Sequence, residues 1–430
     1  LKRVLTLVAV LAMVALSWAG CGRRDRVRPK VVLLGIDGLD WRIADPLLEE
    51  GKLPNLAAII GEGVRADFQS LEYGIKSPII WTTIATGKGP QKHGIADYLQ
   101  NTDEAPLFNS NGWRARAIWD ILGEMGYTVG VINWMVTWPA QPVNGYNVSD
   151  RIVFTERDGF DPIEHTTYPE ELLEELRPHQ RAVADTPDDE IAYLMNGDVW
   201  RTDQVPAVQQ AAETVRIIYA NDQTVADVAE YLLDSRDQPD LFAVYLNGAD
   251  VTSHFFWGPM DPSTVDLYMP DELIETCREV IPRYYQRVDA VVGEILDRVD
   301  ESSTIVLCSD HGFRGPVRTP DGLKLGIWMH RPIGVLAAKG PGILKTDEEI
   351  DASVFDITPT LLALFGEPVG RDMDGFVLTD MLDPEFVGAG GPTYVDTYER
   401  SETDRRDEEP VESPVDDEIK ERLKSLGYIE

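Results

Sequence analysis

The chain alternates amphipathic helical stretches with short apolar runs, and that alternation constrains its fold more than any other feature. VVLLGI, residues 31–36, is a continuous apolar run of the kind a parallel strand shows when both of its faces are covered. LPNLAAIIGEG then reads as a helix stopped by glycine, and WRARAIWDILGEMGYTVGVINW as a helix, a stop at Gly126 and a strand. Further on, TVADVAEYLLDS precedes LFAVYLNG, YYQRVDAVVGEILDRV precedes STIVLCSD, and PIGVLAAKG is followed by VFDITPTLLALFG. This order of elements predicts an α/β fold, a doubly wound, mostly parallel sheet sandwiched by helices, over residues 31–395.

Other segments fall outside the alternation. From about residue 139 to 215, proline, acidic and aromatic residues replace it, which predicts an insertion or cap over the sheet edge. Residues 396–430 are strongly charged and read as a solvated tail ending in a short helix. At the start, Lys2 and Arg3 precede an apolar run of 13 residues, Val4 to Leu16, short of the roughly 20 that cross a bilayer. Residues 1–21 therefore read as a signal peptide, with Ser17-Trp18-Ala19-Gly20-Cys21 resembling a bacterial lipobox, Cys21 as the lipidation site and 22–30 as a linker. On that reading the protein is exported and lipid-anchored to a bacterial membrane, on its periplasmic or cell-surface side. The formal charge of -35 argues against a nucleic-acid partner, and any phosphate handled here calls for bound cations. Cys277 and Cys308 fall in a helical and a strand-like stretch, so neither a disulfide framework nor zinc–thiolate spacing is present.

Three predicted buried strands run into an aspartate: Asp37 after VVLLGI, Asp250 after LFAVYLNGA and Asp310 after STIVLCS. Ligands bind at the carboxyl ends of strands in open α/β sheets, so the three could share one crevice, although an aspartate also commonly opens a turn. The six histidines sharpen the choice. His311 follows Asp310 and His254 lies four residues past Asp250, which pairs each aspartate with an imidazole at metal-ligand reach; His330 sits just before the strand PIGVLAA. Carboxylate with imidazole suits zinc, with manganese or iron as alternatives and magnesium disfavoured. His165 and His179, in the insertion, read as surface residues, and His93 in PQKHGI as a brace for its turn. Ser77 and Pro78 begin SPIIWTTIATGKGPQKHGI as cap and first residue of a helix. A helix N-terminus is also an anion site, and beside a dication the serine could ionise and act as a nucleophile; locally both roles stay open.

Taken together, IDG at 36–38, SPIIWTTIATGKGPQKHGI at 77–95, DVTSH at 250–254, SDHGF at 309–313, and HRPIG with GPGI between 330 and 343 resemble the alkaline phosphatase superfamily. The likeness is greatest to its type I phosphodiesterase/nucleotide pyrophosphatase branch. It implies one divalent cation on Asp37, Asp310 and His311 together with the nucleophile Ser77, and a second on Asp250, His254 and His330. It also implies hydrolysis of a small-molecule phosphate ester, a diester or nucleotide pyrophosphate, through a phosphoseryl intermediate, with the cations clamping the entering and leaving oxygens.

The branch usually carries a threonine nucleophile and an asparagine three residues on, where this chain has Ser77 and Ile80; helix-start N–H groups or Lys76 are the candidate replacements. His330 also stands in GIWMHRP rather than a histidine-glycine-tyrosine context. Competing readings are a phosphomonoesterase or sulfatase-like hydrolase of the same superfamily and a non-catalytic metal-binding surface lipoprotein. A sulfatase is disfavoured because the formylglycine motif needs proline or alanine two residues on and arginine four on, where Ile79 and Trp81 stand. Trp134, Trp138, Tyr146 and Trp200, in or beside the insertion, are candidates to stack a nucleobase, a sugar or a lipid head group, or for packing.

Overall fold

The run VVLLGI forms strand β1 (Val31–Ile36), and every residue of it is buried. Its side chains alternate as a strand requires, Val32, Leu34 and Ile36 entering one apolar cluster and Val31 and Leu33 another. The computed structural model describes residues 28–71, 76–100, 106–197, 205–265, 268–319, 322–324, 326–387, 390–399 and 411–429. The expected signal peptide, the Cys21 site and Trp200 lie outside them.

The remaining strands of the main sheet are β2 (Val64–Gln69), β3 (Val129–Ile132), β4 (Gly145–Val148), β5 (Thr167–Tyr168), β6 (Leu241–Leu246), β7 (Thr304–Cys308), β8 (Ile333–Lys339) and β9 (Ala352–Ser353). Their spatial order is β9-β2-β8-β7-β1-β6-β3-β4-β5. β1 pairs in parallel with both β6 and β7, and of the nine strands only β5 and β8 run against the common direction. The main helices are α1 (Trp41–Glu49), α2 (Pro54–Glu62), α3 (Ser77–Thr86), α4 (Ile118–Glu124), α5 (Pro206–Ser235), α6 (Gly248–Met260), α7 (Val280–Leu296), α8 (Ile357–Phe365) and α9 (Asp416–Leu426). Side chains of α1, α2, α5, α6 and α7 cover the face that holds Val32, while α3, α4 and α8 cover the face that holds Val31. The sheet is thus sandwiched, as the alternation of elements predicts.

The stretch 139–215 supplies β4, β5 and the first turns of α5, so part of it extends the sheet edge. Of the aromatic side chains read as candidates for stacking or for packing, Trp134, Trp138 and Tyr146 are all buried, which is the packing alternative. The charged tail differs from expectation as well. Its helix, α9, buries Leu423, and Val415 before it and Tyr428 after it are buried too. Ile419, Leu423 and Leu426 recur at helical spacing, an apolar stripe narrow enough for the surrounding charges to mask it in the composition. Among the described residues no helix is long and apolar enough to cross a membrane.

Candidate active site

Strand direction decides which side chains meet. Asp37 follows β1 directly and Asp310 lies just past β7, its parallel neighbour, so both emerge at one edge of the sheet. β8 runs the other way, and the residues that precede it therefore lie at that same edge. There His330 and Arg331 pair with Phe313 and Gly312 in a two-residue antiparallel ladder, which sets the His330 ring against that of His311 at 3.6 Å between centroids. Asp250, expected at a strand end, stands in the first turn of α6 after β6, and His254 follows one helical turn on, with Nε2 3.3 Å from Asp250 Oδ1.

Asp37 is held by groups the sequence pattern did not single out. The Trp81 indole N–H (3.1 Å) and the Tyr245 hydroxyl (2.6 Å) both donate to its Oδ2, leaving Oδ1 without a partner. Gly38 follows with φ +73, and a Cβ there would come within 2.8 Å of the Asp250 backbone, so only glycine lets the two segments close on each other. Asp40 is a second such residue: it accepts from the Phe313 N–H (3.0 Å) and from Arg331 (3.2 Å), tying down the chain beside both His311 and His330. The usable signals were the spacing of Trp81, one turn beyond Ser77 on the same helix face, and the second aspartate in IDGLD.

Ser77 opens α3 but does not cap it. The cap position is Lys76, Ser77 is the first helical residue, and its Oγ is buried without a hydrogen-bond partner. Lys76 pairs with Asp97 (2.5 Å), and Ile80 belongs to a buried apolar cluster, so Ile80 does not face the crevice as a phosphate holder. Tyr98 lies against Ser77, its hydroxyl kept protonated by burial and by the charges of Asp250 and Asp37. His93 braces its turn, as expected: Nδ1 accepts from the Ile95 N–H (3.1 Å), Nε2 meets the Thr83 hydroxyl (3.2 Å), and burial pushes the imidazole down to about 4.

Two overlapping sets of side chains could hold cations, Asp37 with Asp310 and His311, and Asp250 with His311 and His330. The division expected from the sequence differs in placing His254 in the second set; His254 Nε2 is 2.9 Å from His330 Nε2, within the same cluster. Three buried polar atoms of the first set lack any hydrogen-bond partner, Asp37 Oδ1, Asp310 Oδ2 and His311 Nε2, and so does Ser77 Oγ. His311 Nδ1–H donates to the Gly312 carbonyl (3.1 Å), which turns the Nε2 lone pair toward Asp37 Oδ1 (3.3 Å) and Asp310 Oδ2 (3.5 Å). A lone pair facing carboxylate oxygens is repulsive unless a proton or a cation sits among them, and unsatisfied buried polar atoms are otherwise rare. These donors fit a divalent cation.

Titration shifts point the same way. Burial, then the charge of Asp250, pushes Asp37 up to about 7; burial, then Asp37, pushes Asp310 well up; burial pushes Asp250 up to about 6. Burial likewise drives His254 down to about 3 and His311 well below its ordinary value. Each group favours its neutral form because water is excluded, and a dication would reverse the carboxylate shifts.

Beside this cluster lies a cavity of about 430 Å³, lined by Pro78, Tyr98 and Val251 next to the site and by Met135, Phe154 and Leu426 farther out.

The chain matches the type I phosphodiesterase/nucleotide pyrophosphatase family over residues 31–337. Of solved structures, the 2-O GAG sulfatase BT1596 is similar over 86% of this chain and 76% of its own, at 12% identity and TM-score 0.50. Human ectonucleotide pyrophosphatase/phosphodiesterase 5 is similar over 82% and 100%, at 13% identity and TM-score 0.48. The phosphonate monoester hydrolase SpPMH of Silicibacter pomeroyi is similar over 86% and 78%, at 16% identity and TM-score 0.48. At these identities the likeness concerns the fold alone. No protein of curated function matches the chain by sequence.

Proposed function

Because the chain belongs to the type I phosphodiesterase/nucleotide pyrophosphatase family, a branch of the alkaline phosphatase superfamily that acts on small-molecule phosphate esters, we propose that it is a two-cation phosphodiesterase working through Ser77. The observation that supports this reading is the approach of three buried, unpartnered atoms, Asp37 Oδ1, Asp310 Oδ2 and His311 Nε2, with Ser77 opening the helix whose Trp81 donates to Asp37. Asp37, Asp310 and His311 would hold one divalent cation and Asp250, His254 and His330 a second, zinc in preference to manganese or iron. When bound, the pair supplies charge neutralisation for the phosphoryl group and lowers the cost of ionising the nucleophile.

The chain's own groups do the rest. Trp81 and Tyr245 fix the Asp37 carboxylate, and Ser77, at the helix start with Tyr98 against it, would supply the oxygen that attacks phosphorus. A bond forms from Ser77 Oγ to phosphorus as the bond to one ester oxygen breaks, and that oxygen departs as the alcohol after taking up a proton. Water then attacks the phosphoserine, returning the serine hydroxyl and releasing a phosphate monoester. The cavity against Pro78 and Val251 gives an organic group on phosphorus a place to lie, and the preference for a diester over a monoester follows from the family.

Purified protein assayed on bis-p-nitrophenyl phosphate, p-nitrophenyl phosphate and p-nitrophenyl sulfate is expected to prefer the diester. Ser77→Ala is expected to lower that turnover at least about a thousandfold. A preference for the sulfate ester, or full activity in Ser77→Ala, sinks the proposal.

A further inference from the structure

The three side chains of the second group are joined by a fourth that no motif marks. The hydroxyl of Tyr428 stands 2.6 Å from His254 Nε2, 3.1 Å from His330 Nε2 and 3.1 Å from Asp250 Oδ2. It reaches them by a built turn. α9 ends at Gly427 in the left-handed conformation (φ 78), whose N–H returns to the carbonyls of Leu423 and Lys424, and the Tyr428 N–H donates to the Leu423 carbonyl at 2.9 Å. That reversal, natural only to glycine, turns Tyr428 inward instead of continuing the helix.

Two anchors fix the segment. Leu423 and Tyr428 pack with Tyr98, Leu99 and Leu107, the two tyrosine rings lying 5.0 Å apart. At its other end Asp416 meets Arg151 of the 139–215 stretch at 3.5 Å. A phenylalanine would satisfy the apolar packing equally well, so packing leaves the hydroxyl and its three polar neighbours unexplained. A phenol also has a single proton to give. Once His254 and His330 commit their lone pairs to a cation, Asp250 Oδ2 is the one acceptor left to that proton among the three, and an oxygen brought in by substrate competes with it.

We propose that Tyr428 is a catalytic residue, its hydroxyl donating a hydrogen bond to the ester oxygen that leaves phosphorus beside Asp250, His254 and His330. The inference rests on the phosphodiesterase reading above. In the step concerned the phosphorus–oxygen bond breaks, its electron pair passes to the departing oxygen, and the phenol proton stabilises that charge without being transferred. Such a donor matters most when the departing oxygen is a strong base, because more charge then accumulates on it. The C-terminal segment is accordingly a working wall of the site.

The test compares wild type, Tyr428→Phe and a chain ending at Gly427 on methyl aryl phosphates running from p-nitrophenyl to phenyl. Cation content is measured by elemental analysis, and unfolding temperature is followed in parallel. For Tyr428→Phe, kcat/KM is expected to fall about threefold with the nitrophenyl ester and about a hundredfold with the phenyl ester, KM changing little. Two cations per chain are expected to remain, and the shortened chain is expected to show the same steepened dependence. A loss that is uniform along the series overturns the inference, as does faster turnover, which marks the ring as a plug, or a lost cation, which marks it as a ligand. Wild-type protein inert on the whole series overturns the phosphodiesterase reading and this inference with it, whereas hydrolysis with a uniform loss overturns the inference alone.

Discussion

The two halves of the polar cluster touch, yet they are built differently. Asp37 and Asp310 leave the ends of two adjacent central strands, and their facing atoms are bare: Asp37 Oδ1, Asp310 Oδ2, His311 Nε2 and Ser77 Oγ have no partner. Asp250, His254 and His330 come from a helix and a two-residue ladder, and they close on one another and on the hydroxyl of Tyr428. His311 lies between, its Nε2 3.3 Å from Asp37 and 3.6 Å from Asp250. The first half is strained electrostatically and waits for a charge, since the sheet itself imposes the convergence. The second is held by contacts among segments far apart in sequence, although His254 Nδ1 is buried without a partner.

That contrast is broken or kept by one pair of variants. Asp310→Asn is expected to lose a cation and to lower diester turnover at least about a thousandfold, because a single site then faces all of the phosphoryl charge. His254→Phe is expected to lose the other cation and to cost about a hundredfold. The informative readout comes after chelation. Asp310→Asn removes a buried acid that must stay protonated because Asp37 repels its charge, and should raise the unfolding temperature of the cation-free protein. His254→Phe takes a partner from Tyr428 and Asp250 and should lower it. Shifts of the same sign in both variants, measured by calorimetry, would show that the two halves do not differ in this way.

How much of this was legible from sequence follows the same division. The first half was readable because its residues sit at strand ends: VVLLGI and STIVLCS each announce a buried strand, and the aspartates follow where a parallel sheet binds ligands. The sheet's order and the opposed direction of β8 were not, since strand pairing between distant segments leaves no local periodicity. Ser77 was placed at the right helix but one position off, as a cap, because Ser-Pro serves equally well at the cap or one residue inside the helix. Ile80 looked like a missing phosphate holder and is a core residue. Tyr428 escaped notice because the charges around it read as a solvated tail, and only the tertiary fold brings Gly427 and its turn to the second half of the site.

The smallest effect expected separates the halves by proton linkage. Near pH 6.5 His254 and His311, pushed down in the fold and about half protonated in the unfolded chain, partly offset the carboxylates, and that offset fades as pH rises toward 8. The carboxylates of the first half remain active in that range. Asp37, up to about 7, keeps part of a proton in the folded, cation-free protein, and Asp310, pushed well up, keeps its own, while both are ionised on unfolding. The folded state therefore binds more protons than the unfolded one, and stability must fall as pH rises from 6.5 to 8. Asp250, up to about 6, is largely ionised across that window and adds little. A bound cation displaces the protons and removes this slope. Chelated protein is thus expected to lose roughly 2 °C of unfolding temperature across the window relative to the loaded protein. In chelated Asp310→Asn the slope should flatten, and in chelated His254→Phe it should persist. Equal slopes in chelated and loaded wild type would mean that the bare carboxylates of the first half do not repel, and the asymmetry between the two halves would then be one of hydrogen bonding alone.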